Sequence, residues 1–176
     1  TAATAAALGL LLLTSACGGG NDATFAAPNV QAVSVGPGPA NNVNLLFTTV
    51  ELCTPGDRTD CQSIDRVLVD TGSTGLRILS SVLAPSVFLR QQTDSVGSPV
   101  VECAQFVSGY TWGPVKVADI RIAGELARSA PMQVIADPDF SVVPASCSST
   151  GPARDSAQAL GANGILGIGL FLQDCG

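Results

Sequence analysis

Asp70-Thr71-Gly72-Ser73 is the segment of this chain whose residue types best suit chemistry. Two hydroxyls and one unobstructed glycine N–H follow the carboxylate, and such donors hold a carboxylate ionised and oriented. An oriented carboxylate can act as a general base toward water. The same residue types are also ordinary in an Asx-type turn between two strands. The surrounding sequence must therefore decide between a catalytic turn and a structural one.

Hydrophobic runs flank this turn, and they predict the strands that would position it. Residues 67–69 indicate a buried strand that ends at Asp70, and residues 76–79 indicate a strand that leaves it. Six further runs predict strands, at residues 30–35, 44–52, 100–107, 113–122, 132–135 and 164–169. Residues 155–160 form the only convincing helix, which Gly161 is placed to end. The pattern predicts an all-β lobe with one short helix.

Composition narrows the functional class. The chain has 176 residues, of which 46% are hydrophobic and 12% charged, and its 19 glycines and 11 prolines favour short strands. The net charge of −6 makes nucleic acid a poor partner. No histidine is present, which excludes a Ser-His-Asp or Cys-His centre and a histidine-bearing zinc site within this sequence. Carboxylate chemistry remains, and neither a metal nor a cofactor is expected.

The first 17 residues have the features of an export signal. Residues 5–13 are apolar but too short to span a bilayer. The following Leu13-Thr14-Ser15-Ala16-Cys17-Gly18 resembles the lipobox of bacterial lipoproteins, which implies that Cys17 is lipidated and anchors the protein to a membrane. Thr14 stands where leucine is most usual, so simple cleavage after Ala16 is the alternative. Residues 18–29 are predicted to be a flexible tether before a lobe at 30–176.

Export to an oxidising compartment makes the remaining cysteines candidates for disulfides. Cys53 and Cys61 bracket a short polar loop and would join the tip of a hairpin, which contributes about 2–3 kcal/mol. Cys103 and Cys147 could form a second bridge. Cys175 is then left over, and its partner is expected beyond residue 176.

Three segments in order resemble the landmarks of a pepsin-like aspartic protease lobe. Asp70 to Ser73 matches the catalytic Asp-Thr-Gly-Ser turn. The segment 113–124 is similar to the strand that ends the flap hairpin, and 163–169 to the Asp-Gly-Ile-Leu-Gly-Leu-Gly stretch. The Cys53–Cys61 loop also lies where such enzymes often carry a small disulfide. An export signal followed by such a lobe looks like an uncharacterised group of secreted bacterial proteins.

The resemblance implies a role for each matching residue. Asp70 would be one catalytic aspartate. The Gly72 N–H would orient its carboxylate, and the Ser73 hydroxyl would donate to the outer oxygen. Thr71 would brace the facing lobe. The strand containing Ile165, Leu166 and Gly167 would lie beside the catalytic turn and bury it. Glycine suits that strand because two backbones approach closely.

Two positions depart from the family pattern, and both concern the flap. Arg77 stands where the family usually has tryptophan, and Phe106 stands at the flap tyrosine position, with Tyr110 near enough to substitute for it. Phe106 and Arg77 cannot make the hydrogen bond that the family residues make, so the flap must be held differently. Tyr110 and Trp112 would line the substrate cleft or simply pack in the hairpin, whereas Arg77 is expected to reach solvent or to pair with a carboxylate.

The implied reaction is peptide-bond hydrolysis by an activated water molecule. Two carboxylates about 3 Å apart share one proton and activate this water. No second Asp-Thr/Ser-Gly is present, so the partner carboxylate is expected from a second lobe beyond residue 176 or from a second copy, and this chain alone should be inactive. We therefore expect an exported, membrane-tethered aspartic endopeptidase with a peptide or protein substrate. The alternatives are a catalytically inactive pepsin-like binding protein of the cell envelope, periplasmic or secreted, and an envelope lipoprotein without a functional pocket.

Overall fold

The computed structural model describes residues 29–39 and 42–170. Within them the regular secondary structure is almost entirely β, which confirms the predicted all-β class. The strands are β1 (Ser34–Gly36), β2 (Leu45–Cys53), β3 (Cys61–Asp70), β4 (Thr74–Leu79), β5 (Arg90–Gln91), β6 (Val101–Phe106), β7 (Gly109–Ile122), β8 (Glu125–Ile135) and β9 (Gly164–Ile168). Two four-residue helices, α1 (Ala145–Ser148) and α2 (Ala157–Leu160), are present. The sequence predicted only the second of these helices.

Six strands close into a barrel in the order β2-β3-β9-β4-β8-β7, because β7 also pairs with β2. Strand β6 pairs with β7 alone and projects as a hairpin. Closure leaves the six barrel strands without free edges and encloses one set of side chains. That core contains aliphatic residues from β2, β3, β4, β7 and β8, including Val50, Leu52, Val67, Ile78 and Val134.

Both predicted disulfides within the described residues are formed. Cys53 and Cys61 are opposite each other at the ends of β2 and β3, where they close the hairpin loop. Cys103 on β6 is bonded to Cys147 on α1. The second disulfide therefore ties the projecting hairpin to the long connection between β8 and β9.

Strand boundaries differ most from expectation where the sequence is polar. Strand β8 begins at Glu125, seven residues before the hydrophobic run at 132–135, because its first half is mostly exposed and pairs with the end of β7. Strand β1 is limited to Ser34–Gly36, although a strand was predicted over residues 30–35. No helix in the described part of the chain has the length and apolar character needed to cross a membrane. The predicted signal peptide, Cys17, most of the tether and Cys175 lie outside the described residues.

Candidate functional site

Asp70 is the last residue of β3, and the turn of Thr71, Gly72 and Ser73 connects it to β4. The Gly72 N–H donates to Asp70 Oδ1 at 2.9 Å. Asp70 is half-buried, whereas Thr71 and Gly72 are exposed. The turn thus orients the carboxylate by a backbone donor while leaving it accessible from one side.

Ser73 lies differently from what the resemblance implies. Its side chain is buried, and its Oγ has no hydrogen-bond partner among the described residues. The expected bond from this hydroxyl to the outer oxygen of Asp70 is therefore absent. Burying a hydroxyl without a hydrogen-bond partner costs about 1–3 kcal/mol of folding free energy, so the burial of Ser73 in this turn calls for an explanation.

Strand β9 lies between the two strands that flank the Asp70 turn. It runs parallel to β3, with Leu68 opposite Ile165 and Asp70 opposite Gly167. It is antiparallel to β4 on its other side. A Cβ on Gly167 would lie 2.6 Å from backbone atoms of Ser73 and Thr74, which is closer than any side chain tolerates. Only glycine permits this approach, so β9 buries the back of the turn.

A cavity of about 360 Å³ opens beside Asp70. Its apolar wall includes Leu68, Phe106, Leu160 and Ile165, which also belong to or pack on a second hydrophobic cluster beneath the turn. The loop at Val107 and Ser108, where β6 turns into β7, forms its rim. The cavity therefore lies between the Asp70 turn and the projecting hairpin, which we call the flap.

Arg77 connects the turn region to the flap. Its side chain is 3% exposed, and its Nη2 donates to Glu102 Oε1 on β6 at 2.7 Å. Its Nη1 donates to the Thr74 carbonyl at 2.7 Å, and its guanidinium carbon lies 5.8 Å from the centre of the Phe106 ring. Arg77 is thus paired with a carboxylate, one of the two outcomes expected for it, and the pair joins β4 to the flap.

Buried polar groups extend this contact into the barrel. Gln133 Nε2 donates to the Glu102 carbonyl at 2.8 Å, and Thr111 Oγ1 donates to Gln133 Oε1 at 2.7 Å. These bonds join β6, β7 and β8 at the base of the flap. No sequence motif marks Glu102, Gln133 or Thr111. Their contacts could not be predicted from sequence because strand pairing brings these residues together.

Tyr110 and Trp112 do not line the Asp70 cavity. Tyr110 pairs with Gln105, the neighbour of Phe106, and successive residues of a strand face opposite sides. Tyr110 therefore faces away from Phe106 and cannot replace it. Both aromatic residues line a separate cavity of about 210 Å³ with Phe140, and Trp112 Nε1 donates to the Phe140 carbonyl at 2.9 Å.

Arg154 is a further cavity residue that the sequence did not reveal. It lines the Asp70 cavity, its Nε donates to the Ser108 carbonyl at 2.8 Å, and its Nη1 donates to the Ala159 carbonyl at 2.7 Å. Its Nη2 also donates to the Ser108 carbonyl. The side chain ties the flap loop to α2.

Asp119, which is not part of an Asp-Thr-Gly sequence, makes contacts that stabilise the fold. It is 3% exposed and accepts from the Ser129 N–H at 2.7 Å and the Gly56 N–H at 3.2 Å. The Ser129 N–H, followed by the Gly56 N–H and the charges of Arg128 and Arg121, holds the pKa of Asp119 below its ordinary value despite burial. Asp119 links β8 to the loop of the first disulfide.

One described group of residues has the spacing of metal ligands, but its chemistry does not fit a metal. Ligand atoms of Glu51, Cys53 and Cys61 lie within 4.8 Å of one another. Both sulfurs are in a disulfide, and Glu51 Oε2 accepts from Arg121 at 2.8 Å. A disulfide sulfur cannot supply the thiolate that a metal binds.

The fold and site together define a disulfide-bonded β-barrel with an accessible carboxylate on a turn, beside a cavity bordered by a hairpin. Residues 25–176 match the model of DUF3443, described as a protein family of unknown function, and the chain belongs to that family. No curated protein matches the chain.

Proposed function

We propose that this chain is one lobe of an exported pepsin-like aspartic endopeptidase, with Asp70 as its catalytic aspartate. The observation that carries the proposal is the position of Asp70 at the cavity. Its carboxylate accepts from the Gly72 N–H, lies at the edge of the cavity, and is backed by β9. These features supply an oriented carboxylate beside a space for substrate, which general-base activation of water requires.

Hydrolysis needs a second carboxylate that shares one proton with Asp70. A second lobe of the full-length protein supplies it, or a second copy of this lobe does. The unprotonated member of the pair draws a proton from water, which attacks a peptide carbonyl polarised by the protonated member. Thr71 is exposed, and in this proposal it would contact that lobe.

Export and lipid anchoring belong to the same proposal. Two disulfides in a chain of this size support an oxidising compartment, because cytosolic thiols are kept reduced. Mass spectrometry of the mature N-terminus tests the anchor. A diacylated Cys17 supports it, whereas an unmodified Cys17 after cleavage at Ala16 supports a soluble exported protein.

Peptide cleavage by the full-length protein tests the catalytic proposal. The purified protein is incubated with a mixed peptide library between pH 3 and pH 7, with and without pepstatin, and products are read by mass spectrometry. Pepstatin-sensitive cleavage that disappears in Asp70→Asn supports the proposal. Absence of cleavage across this range, or equal cleavage by Asp70→Asn, rejects it.

A binding protein without catalysis is the second candidate. The observation that favours it is the Ser73 hydroxyl, which makes no bond to Asp70. In that case the protein would retain peptides of the same library, and neither the wild type nor Asp70→Asn would yield cleavage products. Capture of uncleaved peptides by the wild-type protein distinguishes this function from hydrolysis.

A further inference from the structure

The Asp70 cavity contains one cation whose charge is not neutralised. Arg154 lines the cavity and is half-buried. Among the described residues, no carboxylate forms an ion pair with it. Asp70 lies in the same cavity but beyond ion-pair distance. An arginine inside a cavity and without a carboxylate partner is a site for an anionic group of a ligand.

Hydrogen bonds hold the Arg154 head in place without using all its donors. A guanidinium has five N–H groups. Three bonds go to backbone carbonyls, two of them to Ser108 and one to Ala159. Two N–H groups remain, which is the number that a bidentate contact to one carboxylate uses. Neutral carbonyls orient the head but leave its full charge available.

The rest of the cavity wall indicates which kind of ligand group bears the anionic charge. Leu45, Leu68, Phe106, Leu160 and Ile165 make the wall mainly apolar. A ligand group that suits both wall and cation has an aliphatic stem and a carboxylate end, as a glutamate side chain does. The chain as a whole carries a net charge of −6, so its overall field would repel such a ligand and the attraction must be local.

We propose that Arg154 is a specificity-determining residue that binds the carboxylate of a glutamate side chain next to the bond presented to Asp70. The inference rests on the proposed function in taking a peptide as the ligand. Arg154 acts in binding and takes no part in proton transfer. Its contact with Ser108 couples occupancy of the cavity to the position of the flap loop.

Binding can be measured without hydrolysis. The full-length protein carrying Asp70→Asn is titrated at pH 6.5 with two octapeptide libraries that are identical except for Glu or Gln at one central position. We expect the Glu library to bind roughly tenfold more tightly, as a partly exposed charge-assisted pair provides. In the same background Arg154→Gln should reduce the ratio to about one, and Arg154→Lys should retain part of it. Arg90→Gln, which removes an exposed positive charge on β5, is the matched control and should keep the full ratio.

The ratio of the affinities for the Glu and Gln libraries distinguishes recognition of the carboxylate by Arg154 from a purely structural role of this residue. Loss of the contacts to Ser108 and Ala159 alone would weaken both libraries equally and leave the ratio unchanged. The ratio should also fall as the pH drops below about 4.3, where the glutamate of the ligand becomes protonated while arginine stays charged. Equal binding of the two libraries, no binding of either, or a preference that survives Arg154→Gln overturns the inference. A wild-type protein that cleaves nothing but prefers the Glu library rejects the endopeptidase and leaves this inference standing.

Discussion

Arg77 Nη2 lies 2.7 Å from Glu102 Oε1, and this ion pair joins β4, directly after the Asp70 turn, to β6 of the flap. The two positions are separated by 25 residues and meet because β8 lies beside β4 and β7 carries β6. Arg77 also contacts the Phe106 ring. The Asp70 turn and the flap are therefore connected through a largely buried ion pair.

Neutralising this pair should destabilise the flap. Glu102→Gln leaves the buried Arg77 beside an uncharged amide, and we expect a loss of about 2 kcal/mol in the free energy of unfolding, since Glu102 is a third exposed. Amide hydrogen exchange should rise in residues 101–112. Glu125→Gln, at an exposed carboxylate on β8, is the control and should change neither quantity. Unchanged exchange in the flap would show that the disulfide to Cys147 suffices to hold it.

Gly167 should tolerate no side chain. In Gly167→Ala the new Cβ would meet backbone atoms of Ser73 and Thr74 at 2.6 Å, and backbone cannot move aside as a side chain does. We expect a loss of about 3 kcal/mol in the free energy of unfolding, measured by urea denaturation. Gly72→Ala, on the turn that Gly167 packs against, is the matched control, because its nearest neighbour would be Asp70 Oδ1 at 3.4 Å, an ordinary contact. Equal losses in the two variants would contradict the steric explanation.

Ser73→Ala should separate stability from function. The hydroxyl makes no hydrogen bond to the described part of the chain, so its removal should change the free energy of unfolding by about 0–1 kcal/mol, in the stabilising direction. If Ser73 bonds Asp70 only once a substrate or a second lobe is in place, peptide cleavage should fall about tenfold at unchanged stability. Ser129→Ala, at an exposed serine on β8 whose N–H rather than hydroxyl bonds Asp119, controls for loss of a hydroxyl. A marked loss of stability in Ser73→Ala would mean that the hydroxyl has a partner in the folded protein.

Asp119 should make the fold sensitive to acid. Its pKa in the folded state is below the ordinary value of 3.8, chiefly because of the Ser129 N–H, so the unfolded chain takes up the proton first as the pH falls. The contribution of the ionised group is therefore complete well above pH 3.8 and is lost as the pH falls through the lower folded value.

Urea unfolding of the wild type and Asp119→Asn between pH 2 and pH 7 measures this effect. The difference in unfolding free energy between the two proteins should be constant near neutral pH and should shrink on acidification. Asp139→Asn, at an exposed aspartate, is the matched control for exchanging a carboxylate for an amide. A difference that stays constant down to pH 2 would show that Asp119 keeps its ordinary pKa.

The parts of the fold that the sequence predicted are those encoded by local patterns. The runs around Asp70 and at residues 164–169 are short, apolar and bounded by turn residues, so β4 and β9 were predicted to within two residues of their ends. Strand β3 ends at Asp70 as predicted but begins at Cys61, well before the predicted run. Gly161 ends α2 with a φ of 76°, as expected for a glycine after a helix. The polar first half of β8 was missed because its pairing with β7, rather than its own pattern, makes it a strand.

In the candidate site, too, some features could be predicted from local sequence patterns and others depended on strand pairing. Asp70, Gly72 and the close approach of β9 follow from residue types at fixed spacing, because a turn motif and a glycine that meets another backbone leave local traces. The faces of Tyr110 and Phe106 could not be predicted, since the register of β6 against β7 decides which side each ring takes.

The sequence by itself indicated an all-β chain with a carboxylate on a turn of small residues, and it offered the two cysteine pairs that the structure shows to be bonded. Tertiary structure alone decided that Arg77 reaches Glu102, that Arg154 enters the Asp70 cavity, and that the buried Ser73 hydroxyl finds no partner within residues 29–39 and 42–170. The physical reason is that strand propensity and turn chemistry act between near neighbours. Ion pairs and cavity walls, in contrast, arise from residues that only barrel closure brings together.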